Sequence, residues 1–403
     1  MKDLKHMAFF ESLLHEANND LVRQATSEGR LALGYTCFHI PEALLNLPGC
    51  FSVRLRAPHT GSTDIATYYM ASSACEFCRA LLERAIEGGF QFLDAIVGVD
   101  LCEGMNRCYE NMEILKTYSP EKEGKFFISY IDVPSKDEEF AVEHIQEQIE
   151  RKYLKPLHER YGVDISDAAI REAVEKHNEV CRVITEIGDF RKAENPVITG
   201  SEFHKIVLAS FVAPKDLIID KLYETLEELK TREPDKKNPY RARVVVVGGE
   251  IDDPGMIELI EESGAYVAAD RFCFGSIPGR QEIILNDDEP ALTQIIRTNV
   301  QQTSCPRYMS HNKIKYRQDQ AAELCKEYNA DGIIYEQMKF CTYWSFERAL
   351  QSNVLYTDYG IPTLSIDRPY RARNSGQLRT RVQAFVERLE IKNIKAEREA
   401  ESR

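Results

Sequence analysis

No stretch of this 403-residue chain approaches the roughly 20 consecutive apolar residues of a membrane span. No dense Lys/Arg stripe offsets its net charge of −14, which argues against nucleic acid as a general partner. Phosphate-cradling motifs are missing too. VVVVGGEIDDPG offers glycines after a strand but neither G-x-G-x-x-G nor G-K-[ST], so the chain is not expected to hydrolyse ATP alone. The first residues, MKDLKHMAFFESLLHEANND, read as an amphipathic helix carrying acids and not as an export leader. A reducing, cytoplasmic compartment is therefore expected. In it the eleven cysteines are not a disulfide framework but core residues, ligands or catalysts.

What is present is organised around residues 72–104, SSACEFCRALLERAIEGGFQFLDAIVGVDLCEG. Ser73 and Glu76 are spaced as a capping box, Leu81, Leu82 and Ala85 make an apolar stripe, and Gly88-Gly89 ends the helix. FLDAIVGV is a short apolar run of the kind buried on both faces of a parallel sheet. Helix starts and strand ends meet on one edge of such a sheet, which aims Cys75 and Cys102 at one crevice. A thiolate there gains from the helix dipole and from backbone N–H groups, which lowers its pKa and readies it to bind metal.

Elsewhere LALGYTC (31–37) and FSVRLRA (51–57) read as strands, and IPEALLNL (40–47) as a helix. Residues 137–232 are helical in pattern and heavily charged, and EPDKKNPYRA (233–242) has the composition of a linker. A second series follows: RVVVVGGEI, AYVAAD, DGIIYE and IPTLSID as strands, helices between them and a long closing helix. The expected fold is α/β, with two Rossmann- or flavodoxin-like parallel-sheet domains, 1–136 and 243–403, and a helical insert, 137–232. The site is expected in the crevice between the two.

On this map Cys37, Cys75 and Cys102 in the first half, and Cys273, Cys305 and Cys341 in the second, fall where a strand ends or a helix begins. Cys108, Cys181 and Cys325 lie inside helices, Cys50 heads a strand, and no role is read for Cys78. The halves read as diverged copies, with Asp94-Ala95-Ile96-Val97 leading to Cys102 and Asp331-Gly332-Ile333-Ile334 leading to Cys341. Three thiolates per half on ligand-binding edges suit an iron–sulfur cluster. Three other readings stay open. The cysteines can be small buried hydrophobes. Cys75-Glu76-Phe77-Cys78 can be a redox C-x-x-C, which leaves the other edge cysteines idle. Structural zinc lacks its paired C-x-x-C spacing here.

YTCFHIPEALL, ACEFCRALLERAIEGGFQFLDAIVGVDLCEG, GAYVAADRFCFGSIPGR, TSCPRYM, ADGIIYEQMKFC, GIPTLSID and GQLRTRVQAFVERL resemble, in order, segments of the 2-hydroxyacyl-CoA dehydratase and benzoyl-CoA reductase family. The likeness runs from about residue 31 to 390 and is weakest through the helical stretch. It implies low-potential iron–sulfur clusters, fed by a separate ATP-hydrolysing iron–sulfur activator, and a homodimer or a heterodimer with a related subunit. It also implies that Cys75, Cys102 and Cys341 match the positions that hold one [4Fe-4S] cluster. In the double-cubane branch, Cys37, Cys273 and Cys305 would supply the ligands of a second cubane, giving an [8Fe-9S] type cluster. DLCEG departs from the C-D expected there but keeps the ligand.

Two functions follow from the resemblance: a reductase of a small substrate using a double cubane, or one subunit of an acyl-CoA dehydratase or reductase with a single cluster. A non-catalytic electron carrier or cluster store is a third. No segment identifies an acyl-CoA pocket. Glu42 and His39, just past Cys37, are candidate proton donors, or simply a first-turn acid and its neighbour. Lys339 is read as solvated, Arg379 and Arg381 as a helix face, and Trp344 as packing at the site's mouth.

Overall fold

The computed structural model describes residues 1–100, 102–235, 240–277, 282–370 and 375–401. Eight strands form two four-stranded sheets, every neighbouring pair parallel. In the first, β1 (Leu31–Tyr35), β2 (Cys50–Arg54), β3 (Ala95–Asp100) and β4 (Phe127–Asp132) stand in the order β2-β1-β3-β4. In the second, β5 (Ala242–Gly248), β6 (Ala265–Phe272), β7 (Gly332–Met338) and β8 (Thr363–Arg368) stand as β6-β5-β7-β8. The two sheets have the same topology. In each, the strand order reverses between the first and third strands, the point at which open α/β sheets take ligands beyond their carboxyl ends.

These strands are buried on both faces, every residue of β2 and β7 included, and their largely apolar runs carry a few buried polar residues such as Arg54 and Glu336. Gly98 lets β3 be covered closely, since a Cβ there would lie 2.7 Å from the Tyr109 ring and 2.9 Å from the Ser129 carbonyl oxygen. Helices fill 139–231, the longest being Asp167–Asp189. One continuous apolar core takes in Phe77 and Ile184 as well as Tyr335 of β7, so the two sheets and the helices between them share their interior. Among the described residues, no helix is long and apolar enough to cross a membrane.

Two expected elements differ. Only Glu42–Leu45 of the helix expected at 40–47 is wound, as a single 3₁₀ turn. Asn46 turns back, its amide donating to the Glu42 carbonyl at 2.8 Å and to Ser52 at 3.1 Å, and Pro48-Gly49 follow. Helices Asp64–Tyr69 and Ala291–Gln302 were not among the expected elements. The centre of the expected linker, 236–239, lies outside the described residues, as do Leu101 and the end of the glycine segment after Cys273.

The carboxyl edges of the sheets face each other. Arg56, beyond β2, donates to the Asp252 carbonyl from Nε (2.9 Å) and Nη2 (2.6 Å). Tyr370, beyond β8, donates its hydroxyl to Asp252 Oδ2 at 2.5 Å and accepts from Ala57 N–H at 3.2 Å. The crevice between these edges is where the cysteines lie.

Candidate metal centre

Three of the six edge cysteines are helix N-caps. Cys75 precedes the helix Glu76–Ile86, Cys102 precedes Glu103–Ile114, and Cys341 precedes Thr342–Thr357. A thiol thus takes the place usually held by a hydroxyl or carboxylate, where first-turn N–H groups need an acceptor. None of the three thiols accepts a cap hydrogen bond, yet the N–H groups of Phe77 and Cys78 favour the thiolate of Cys75, those of Gly104 and Met105 that of Cys102, and that of Trp344 that of Cys341. Cys37 lies just beyond β1 and Cys273 directly after β6, while Cys305 occupies the turn between helices Ala291–Gln302 and His311–Glu327. His39 and Arg307 N–H serve Cys37 and Cys305 in the same way.

The capping box read at Ser73 and Glu76 does not form, because Cys75 and not Ser73 is the N-cap. Glu76 is then the first helical residue, and its carboxylate accepts from Tyr370 N–H at 2.9 Å. That bond ties the Cys75 helix to the second half of the chain.

The thiols fall into two groups by the charges they feel. Cys37, Cys273 and Cys305 form one group. Burial pushes the Cys37 and Cys273 thiols well above the ordinary range, and the neighbouring thiols add to the shift. Cys305 is held at about 11, burial winning over the Arg307 N–H and the Arg317 and Arg307 charges. Cys75, Cys102 and Cys341 form the second group, where burial and then Cys75 push Cys341 up. The buried Cys78 thiol is the largest influence lowering Cys75 and bringing Cys102 to about 7. Cys75 and Cys102 are thus lowered, first by Cys78 and then by the expected N–H groups, while desolvation outweighs the N–H groups at Cys37, Cys305 and Cys341 and raises Cys273.

Within the second group, the thiol of Cys75 lies 3.6 Å from the sulfur of Met338, the last residue of β7, three positions before Cys341, and Glu250 links this group to the first. Glu250, just beyond β5, is held up at about 7 by burial, against the pull of Arg54 and with Asp252 and Cys102 adding to it. Its own charge is felt at Cys37, Cys273, Cys305 and Cys341. The repeat is therefore looser than the sequence suggested. Cys37 follows β1, but its counterpart beyond β5 is the Gly249-Glu250 turn, and Cys273 follows β6, the counterpart of β2.

Exposure separates the eleven thiols. Cys50, Cys78, Cys108, Cys181 and Cys325 are all buried, whereas five of the six edge cysteines are partly open and Cys273 is the exception. Buried polar atoms without a hydrogen-bond partner gather around them: both ring nitrogens of His39, Arg54 Nε, Glu250 Oε2, Arg307 Nε and the Tyr308 hydroxyl. Such orphans are costly unless a further partner is taken up. A thiolate-ligated group with hydrogen-bond-accepting sulfides fits both the donor set and most of these orphans. Among the described residues, no three His, Cys, Asp or Glu side chains gather as a site for one metal ion. Cubane ligands stand on different irons and need no such convergence.

A family model described as 2-hydroxyglutaryl-CoA dehydratase, D-component, matches residues 37–389. The chain belongs to this family. It is 23% identical over 381 residues to the (R)-phenyllactyl-CoA dehydratase beta subunit of Clostridium sporogenes, spanning 94% of this chain and 97% of that one. To the (R)-2-hydroxyglutaryl-CoA dehydratase subunit beta of Acidaminococcus fermentans it is 22% identical, over 90% and 93% of the two chains. To a benzoyl-CoA reductase subunit of Thauera aromatica it is 20% identical, over 91% and 93%. The family match begins at Cys37 and takes in all six edge cysteines.

Within this dehydratase-family chain, the remaining candidates are placed as follows. His39 is buried with its ring stacked against Phe38 (4.9 Å) and Tyr308 (5.7 Å); burial and then Arg307 lower its pKa to about 3, so the ring is neutral. The Glu42 carboxylate accepts from Lys215 Nζ at 2.6 Å and Ser52 Oγ at 3.0 Å. Trp344 is buried against Gly249, where an added Cβ would lie 2.9 Å from the indole. Lys339 is exposed. Arg379 pairs with Glu262 at 2.6 Å, and Arg381 donates to the Ser365 carbonyl. Sequence reasoning missed Cys78, Glu250, Arg54 and Arg307. Only the C-x-x-C spacing of Cys78 carried any signal.

Proposed function

We propose that this chain is an iron–sulfur reductase whose six edge cysteines hold a double-cubane, [8Fe-9S] type cluster. Cys75, Cys102 and Cys341 would hold one cubane and Cys37, Cys273 and Cys305 the other. The observation that carries this reading is the pair of three-thiol groups, five of whose six members are partly open whereas the five cysteines outside them are all buried. Bound there, such a cluster supplies low-potential electrons for reduction of a small substrate. The chain's own groups do the rest. First-turn N–H groups and the Cys78 thiol would offset thiolate charge, and Arg54, Arg307 and Glu250 would set the charge around the crevice. Electrons would come from a separate ATP-hydrolysing iron–sulfur activator. The protein would be cytoplasmic and would work as a dimer.

The relatives' names favour a second reading, a subunit of a 2-hydroxyacyl-CoA dehydratase or benzoyl-CoA reductase with one [4Fe-4S] cluster and an acyl-CoA substrate. Iron and acid-labile sulfide, counted on anaerobically purified protein, separate the two. About eight irons per chain supports the double cubane and about four the dehydratase subunit. Protein with neither sinks both.

A further inference from the structure

A cavity of about 90 Å³ opens between the helix Asp167–Asp189 and the loop that runs on from Cys37. Phe38, Ile40, Phe211, Ile283 and Ile295 make most of its wall apolar. Set into that wall are three groups in line. Cys181 Sγ lies 3.4 Å from His177 Nε2, one helical turn earlier. The other ring nitrogen, Nδ1, lies 3.9 Å from Glu42 Oε2. The second oxygen of Glu42 accepts from Lys215 and Ser52, which hold the carboxylate beside the ring.

We propose that Cys181, His177 and Glu42 form a thiol–imidazole–carboxylate site on this cavity, built to add the thiol to a small, uncharged activated alkene. A cysteine, a base within hydrogen-bond reach and a group orienting that base are the parts of an activated nucleophile. The cavity sets the ligand class. An apolar void of roughly 150 Å³ takes a benzene ring, so this smaller, open cavity seats a group of a few heavy atoms. Its walls favour an uncharged occupant. The addition balances without a further reactant. Cys181 gives its proton to His177, and Sγ bonds to the β-carbon. The π pair moves to the carbon beside the carbonyl, which takes the proton back from His177. One S–H has added across one C=C, and nothing is oxidised or reduced.

The surrounding charges agree with this geometry. Burial lowers the proton affinity of His177, but the Cys181 thiol on its own helix and Glu42 on the 3₁₀ turn raise it further than burial and Lys215 lower it. The ring therefore holds a proton more readily than an ordinary histidine, as an imidazolium–thiolate pair requires. Cys50 and Cys325 are pushed up by burial to about 12 and Cys108 beyond, which makes them internal controls.

The test is site-resolved alkylation of the native full chain by acrylamide, each cysteine peptide being quantified by mass spectrometry from about pH 6 to pH 9. Cys181 should react at least about tenfold faster at neutral pH than Cys50, Cys108 and Cys325, and its rate should level off below the ordinary thiol range. In His177→Gln that advantage should vanish while the three controls keep their rates. A Cys181 rate no faster than the controls overturns the proposal, and so does an equal rate in His177→Gln. Should that variant not fold, the pH profile of the unaltered chain decides. A Cys181 rate that keeps climbing with pH like an ordinary thiol overturns the site.

Discussion

Arg54, the last residue of β2, donates from Nη1 to the carbonyl oxygen of Cys273 at 2.6 Å and thereby spans the two halves. Its guanidinium lies 3.8 Å above the Phe274 ring, and the residue is wholly buried. A buried cation is tolerated here because the ring face, the carbonyl and the nearby Glu250 charge replace water. Arg54→Met should lose about 3 kcal/mol, from an unpaired carbonyl and a lost cation–π contact. Urea unfolding should show a lower midpoint at unchanged slope. A midpoint within error of the parent would mean that Arg54 does not bind the halves together.

The ligand sets make a second prediction. Cys75→Ala, Cys102→Ala and Cys341→Ala should each strip iron and visible absorbance from anaerobically purified protein, while Cys325→Ala and Cys181→Ala should not. Cys37→Ala, Cys273→Ala and Cys305→Ala should lower iron as well if two cubanes are held. Unchanged iron in all three of these would leave the single-cluster dehydratase reading.

How much of this could be read before folding depends on how local the cause was. β3 is a continuous apolar run, and its identity needs no partner. Five of the six edge cysteines sit at strand ends or helix starts, which periodicity also marks, whereas Cys305, expected just before a helix, lies in the turn after the unexpected helix Ala291–Gln302 and six residues before the next one begins. The capping box failed because the helix begins one residue after Cys75, and the freed Glu76 carboxylate is taken by Tyr370 N–H, 294 positions away. Cys37 and Cys273 looked equivalent because each follows a strand, but which strand lies at the point of reversal depends on sheet order, set only on assembly. Glu250 was invisible for the same reason: it reads as a loop acid until both sheet edges enclose it.

A buried ion pair under the second sheet supplies a third prediction. Arg317 and Glu347 form a two-bond pair, Nε to Oε1 at 2.6 Å and Nη2 to Oε2 at 2.8 Å, each side chain nearly inaccessible. Arg317 also donates to the Tyr308 carbonyl at 2.7 Å, next to the Cys305 turn. Arg317→Met should cost about 3–5 kcal/mol, because it strands a buried carboxylate. Adding Glu347→Leu should recover much of that loss, since the stranded charge is then gone. A double variant as unstable as the single one would show that packing, and not charge, sets the cost.

Stability should also fall on the acid side through His204. In the helix Gly200–Val212 this ring is buried edge-on against Phe272, centroids 5.0 Å apart. Burial brings its pKa to about 4 despite Asp270 and Asp253 nearby. Its folded pKa lies below the unfolded value of about 6.5, so the unfolded chain takes up the proton first. The stability this neutral ring contributes is complete above about pH 6.5 and is lost as pH falls toward 4, by about 3 kcal/mol in all. His204→Phe should flatten that part of the stability curve. Parallel curves for parent and variant between these pH values would refute it.

The last prediction concerns electron supply. The chain carries no G-K-[ST] loop and no other recognised phosphate cradle, so ATP-driven electron delivery, if the proposed function holds, must come from a second protein. That protein has to bring its own cluster close to the crevice between the two sheet edges, which Cys75 and Cys341 help to line. The net charge of −14 suits a basic docking face on the activator, and contacts between exposed charges weaken as salt shortens their range. Docking should therefore be transient and tied to nucleotide state. Mixing this chain with a candidate activator, reductant and ATP should give substrate reduction that falls as ionic strength rises. Full multi-turnover activity with dithionite alone, unaffected by activator and ATP, would mean that the chain needs no such partner.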